Sequence, residues 1–98
     1  LEEMGFRSKR DQLILVNIIE EFVRLRVKES IKELGACECE TCYLNACALA
    51  LNVLEPRYVT TTKGALISEI TAMKLENQTN ILVEVTKAVM QVMECPHH

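Results

Sequence analysis

The segment Thr41–Leu54, TCYLNACALALNVL, is apolar on almost every side, and it constrains the fold more than any other stretch of the 98-residue chain. Ala and Leu favour helix. Pro56 stops that helix and pushes the residue before it out of the helical region. Only Asn45 and Asn52 interrupt the apolar surface. A helix without a polar face is normally covered all round. The chain must therefore bring other helices against it, and a homodimer is expected to hide what one copy leaves bare. The two amides then need partners, since an unsatisfied one costs about 1–3 kcal/mol. Loop backbone is the expected partner.

Two further helices are legible. Leu15, Ile19, Val23, Val27, Ile31 and Leu34 form one stripe, widened by Val16 and Phe22, which predicts a first helix over Asp11–Leu34. Glu20 and Arg24 stand at the favourable i,i+4 spacing, and Gly35 is placed to end the helix in a left-handed residue. Ile81, Leu82, Val85, Ala88, Val89, Val92 and Met93 predict a last helix over Glu76–Glu94, ended by Pro96. Met73, Met90 and Met93 read as core fillers. Between helices two and three, Tyr58–Thr62 is β-branched and aromatic, Lys63-Gly64 reads as a turn, and Ala65–Ile70 as a return strand. The expected fold is mainly α: a single three-helix domain over residues 1–98 with a short extended or β-hairpin segment. Residues 1–10, charged and aperiodic, read as a frayed leader.

Composition narrows the function. Eleven basic against fourteen acidic residues give a net charge of −3, and aromatics make up only 4% of the chain. That disfavours direct nucleic-acid binding, which normally uses a basic face or stacking aromatics. No apolar run approaches the ~18 residues of a membrane span. The chain has five cysteines, an odd count, and no secretory apolar segment at its start. Metal binding or free thiols in the cytoplasm fit this better than a disulfide framework. No catalytic constellation is visible: there are only two His, both terminal, and no Gly-rich phosphate loop. A binding protein is expected, not an enzyme.

Cys37-Glu38-Cys39-Glu40-Thr41-Cys42 is a C-x-C-x-x-C run. Three thiolates so close in sequence can reach one tetrahedral Zn²⁺ with bonds of about 2.3 Å. Unpaired N–H groups at the start of helix two would bond the sulfurs and stabilise their charge. A fourth ligand is needed, and Cys95, His97 and His98 follow the last helix. The terminal His pair also reads as the stump of a purification tag. Cys47 follows Cys42 by five residues, which puts it about 140° away around the helix, so it reads as a core thiol. Two chemistries compete: a redox dithiol of Cys39 and Cys42, although no thioredoxin-like βαβ pattern surrounds it, and an iron–sulfur cluster, whose four thiolates the chain could only just supply.

The run LVNIIEEFVRL, then C-E-C-E-T-C, then ALALNVLEPRYV before Lys63-Gly64, resembles the late competence development protein ComFB family of bacteria. The resemblance covers Leu15–His98. It implies a small, mainly helical, dimeric protein with zinc on Cys37, Cys39 and Cys42. Many relatives end in Asn-Pro-x-His, so His98 becomes the candidate fourth ligand, with Cys95 and His97 as alternatives. Asn45 stands where relatives usually carry Asp. Some members are similar to receptors for cyclic dinucleotides. On the residues themselves, Arg57, Tyr58 and Lys63 form a candidate anion site, since Arg pairs with phosphate and both Arg and Tyr stack on bases. The plainer alternative is a surface hairpin in which Arg57 pairs with Glu55.

Overall fold

In the computed structural model, residues 12–94 are described. The leader, Cys95, His97 and His98 lie outside them. In chain order the elements are β1 (Leu13–Asn17), α1 (Ile18–Leu34), α2 (Glu40–Val53), β2 (Tyr58–Thr62), a 3-10 turn (Lys63–Ala65), α3 (Leu66–Thr71) and α4 (Leu75–Glu94). Four helices therefore stand where three were expected. The last expected helix is matched closely by α4.

The first expected helix is corrected at its start. Leu13–Asn17 is a strand, paired antiparallel to β2 with Leu15 opposite Thr60 and Asn17 opposite Tyr58. Leu15 thus leaves the helical stripe and is exposed. The break falls at Asn17, whose side-chain Oδ1 accepts from Ile19 N at 3.1 Å and from Arg57 N at 2.8 Å. One carboxamide therefore caps α1 and ties it to the segment that enters β2. Ile18 N donates to Arg57 O at 2.8 Å, which extends the ladder by one pair.

The return strand is corrected too. Tyr58–Thr62 finds its partner before α1, not after Lys63-Gly64, and Ala65–Ile70 turns into helix. Thr62 starts that turn, since its Oγ1 accepts from Ala65 N at 3.1 Å. A two-stranded sheet is marginal alone. Its inner face carries Val59 and buried Thr61 toward the helices.

The core lies between α1, α2 and α4. The largest fully buried side chains are Val23, Val27, Val85 and Val89. Ala46 and Ala50 are the buried small residues of α2, and they let it sit close to its neighbours. Ile19 lines a hollow with Leu54 and with Ile81, so α1 and α4 begin at the end where α2 finishes. Both helices therefore run antiparallel to α2. The all-round burial expected of α2 is not met within one chain: Leu44 and Val53 are exposed, as is Asn52. Met73 is core, whereas Met90 and Met93 are exposed and are not core fillers of the single chain.

The double hydrogen bond of Asn17 gives a first prediction. Asn17→Ala should lower unfolding stability in urea by about 1–2 kcal/mol, while the helix content of the folded protein stays near that of the parent. An unchanged urea midpoint would show that the carboxamide holds nothing.

Candidate metal centre

Five residues, Gly35 to Cys39, reverse the chain from α1 into α2. Gly35 adopts φ +70°, the left-handed conformation a residue with a Cβ resists, and its N–H closes α1 on Ile31 O and Lys32 O. Ala36 N also returns to Ile31 O at 2.9 Å. At the other end Cys39 is the N-cap of α2, where its Sγ accepts from Cys42 N at 3.4 Å. A sulfur thus fills the capping role usually taken by oxygen. Cys42 is in the first turn of α2, which begins at Glu40, one residue ahead of the expected Thr41.

This geometry gathers the three thiols. The Sγ atoms of Cys37, Cys39 and Cys42 all lie within 4.8 Å of one another. In a tetrahedral site with bonds of about 2.3 Å, sulfurs sit about 3.8 Å apart. Small side-chain rotations would therefore close the three onto one ion. They are also graded in exposure: Cys37 is open to solvent, Cys39 half-buried and Cys42 buried. The backbone N–H of Cys42, followed by the Cys37 thiol, holds the Cys39 pKa below the usual thiol value. Burial, followed by the neighbouring thiols, pushes Cys42 up to about 12. A cation between them would reverse the second shift, because it favours every thiolate at once. Three converging sulfurs, one of them with a lowered pKa, form a donor set of the soft kind that zinc takes.

Over residues 16–96 the sequence matches the family model of the late competence development protein ComFB. The chain belongs to the ComFB family. Among solved structures, the late competence protein ComFB from Bacillus subtilis is similar at a TM-score of 0.69 and 27% identity. That match covers 86% of this chain and 93% of the other. A search of curated proteins gave no match.

Within this ComFB fold the other expected residues fall as follows. Cys47 is buried on α2, 4% exposed, beside Tyr43, and burial raises its pKa. It is a core thiol, as its spacing predicts. Among the described residues, none of the hollows brings Arg57, Tyr58 and Lys63 together. Arg57 borders two hollows that neither Tyr58 nor Lys63 lines, and Tyr58 is exposed on the sheet face of Leu13 and Leu15. Among the described residues Arg57 has no ion pair, so the expected Arg57–Glu55 pairing is absent. Sequence reasoning missed Tyr43. With Lys28, Ile31, Lys32, Glu38 and Glu40 it lines a cleft of about 380 Å³ beside the cysteine turn. The Lys28 Nζ lies 5.6 Å from its ring centroid. The helical spacing from Cys39 to Tyr43 was the available signal.

Thiol reactivity in chelator-treated protein follows from these environments. Because its pKa is lowered, Cys39 should carry more thiolate at pH 7 than an ordinary cysteine and react first with iodoacetamide within the cluster. Its labelling should fall off only as pH drops below that lowered value. Cys42 and Cys47 should label slowly until the protein unfolds. Peptide mass spectrometry reads the order, and Cys42 modified ahead of Cys39 would contradict it.

Proposed function

We propose that this chain is a zinc-stabilised homodimer that acts by binding, as a regulatory or scaffold protein of the cytoplasm, and not by catalysis. The observation that carries this reading is the convergence of Cys37, Cys39 and Cys42 at the turn between α1 and α2. These three thiolates would hold the ion, and zinc would supply a fixed crosslink and neutralise their charge. The fourth position falls to the segment after α4. Ile81 is level with Leu54 at one end of the bundle. From there about 13 residues of either helix, roughly 20 Å, lead to Glu94 and to the start of α2. The described end of α4 thus stands at the height of the cysteine turn. His98 is the preferred ligand, with Cys95 and His97 as alternatives.

The homodimer is supported by α4. Besides the stripe it buries in the core, this helix carries Leu75, Leu82, Val83, Met90 and Met93, each between 44% and 77% exposed. With Thr79 and Thr86 they form a second, charge-free strip alternating by threes and fours, as in a coiled-coil seam. Such a strip on a small chain is an interface. The ligand reading is a cyclic dinucleotide, for which Arg57 is the supporting residue, and Tyr58 and Lys63 take no part in its hollow.

A redox dithiol of Cys39 and Cys42 is the second reading, favoured by the lowered pKa of Cys39. Two measurements separate the proposals. Protein purified without chelator should contain about one zinc per chain by atomic emission, and acidification should release it as the thiolates regain protons. Less than half an equivalent would contradict the metal reading, and dithiol–disulfide turnover with an intact fold would favour the redox one. Leu82→Glu with Met90→Glu should convert a dimer to a monomer in light scattering without loss of helix. A variant that remains dimeric would remove α4 from the interface.

A further inference from the structure

β1 has the sequence of a central strand and the position of an edge strand. Leu13-Ile14-Leu15-Val16 is an unbroken apolar run, the pattern of a strand covered on both faces. Edge strands are normally protected by charge, proline or a bulge, and Leu13–Asn17 has none of these. Yet none of its five residues is buried. Leu13 and Leu15 are 73% and 72% exposed on the outer face of the sheet, and Ile14 and Val16 are only half-buried on the inner one.

The backbone of β1 is open as well. Ile18 N donates to Arg57 O, and the ladder alternates from there. Val16 with Val59, and Ile14 with Thr61, are then the hydrogen-bonded pairs of the register. The N–H and C=O of Leu13 and Leu15 point the other way, and among the described residues no strand pairs with them. A row of unpaired backbone groups between two apolar flanks has the form of a seat for a third strand.

The size of the seat and the rest of the chain narrow its occupant. Five residues make an edge about 17 Å long. That suits one extended segment, and falls far short of the roughly 800 Å² per partner that globular docking needs. Residues 1–11 do not match it, because Leu1, Met4 and Phe6 are their only large apolar residues and no two are adjacent. A second copy would have to present its own β1 in a two-fold pairing. Beside the α4 face, that second self-pairing surface would build a tetramer or a filament in place of the proposed dimer.

We propose that β1 is a docking edge for an extended segment of another protein, an uncharged and mainly β-branched run added beside it as a third strand. Main-chain bonds to Leu13 and Leu15 supply the affinity. Alternate side chains of the added strand cover Leu13 and Leu15 on one face, and Ile14 and Val16 on the other. The edge shares no residue with the cysteine cluster or with α4, so its failure would leave the zinc and dimer readings intact.

The test uses the full zinc-loaded chain and a blocked synthetic peptide, a short run of alternating valine and isoleucine with lysines at each end. Amide hydrogen exchange followed in ¹⁵N spectra reads the edge directly. In the protein alone the amides of Ile14 and Val16 should exchange slowly, and those of Leu13 and Leu15 fast. The peptide should slow Leu13 and Leu15 by roughly tenfold or more. The same peptide N-methylated throughout its run keeps its side chains but has no donors, and should leave those amides unprotected. Leu15→Lys, at an exposed position, should weaken peptide binding by roughly tenfold with helix content unchanged. Leu13 and Leu15 amides that are already slow in dilute protein would show the edge covered by the chain's own residues and overturn the proposal. Protection that grows with protein concentration, with tetramers that Leu15→Lys reduces to dimers in light scattering, would give the edge to a second copy and overturn it too. So would equal protection by the methylated peptide, or no protection by either peptide at millimolar concentration.

Discussion

The reversal at Gly35–Cys39 is the constraint on which the rest of the molecule depends. A left-handed glycine closes α1, and four residues later a sulfur opens α2 by accepting the Cys42 N–H. The same short path lays α2 back along α1 and leaves α4 to fill the remaining side. Three thiols meet there because the turn needs a cap, and the cap belongs to the cysteine run. The core behind it is made mostly of valine, isoleucine and alanine, with Phe22 the one buried aromatic among the described residues. Small domains with modest cores commonly rely on a metal, disulfides or a second copy of the chain. In the proposed account this chain uses two of these, a metal at the turn and a partner along α4.

Much of this was legible from residue order. The apolar periodicity placed most of α1 and nearly all of α4, and Gly35 marked the end of α1 by the conformation only glycine accepts cheaply. The cysteine spacing marked the cluster, and the angular offset of Cys47 separated it from the other three. What failed did so for physical reasons. Leu15 falls four residues before Ile19, so the strand LILVN extends the helical stripe without a visible break. The break is chemical: Asn17 followed by Glu20 three residues later is an N-cap signature that outranks periodicity. Ala65–Ile70 was misread because the strand partner of Tyr58–Thr62 lies some forty residues earlier, and local pattern does not report pairing at that range.

The exposed apolar residues tell a similar story. An all-round apolar α2 and a doubly striped α4 both exceed what one copy covers, and sequence alone could not say which face stays bare. In the fold it is the strip from Leu75 to Met93 on α4 and the Leu44 and Val53 positions on α2. The polar hollow at the opposite end was half visible: Arg57 stood out, but Asn77 and Asn80 join it only when α4 packs beside the end of α2. The bundle thus separates the cysteine turn at one end from the polar hollow at the other.

X-ray absorption at the zinc edge, on protein purified without chelator, tests the central claim most directly. The account predicts three sulfur neighbours at about 2.3 Å, with a single fourth ligand from the segment after α4. A shell made only of oxygen and nitrogen, or the absence of zinc from folded protein, would contradict it.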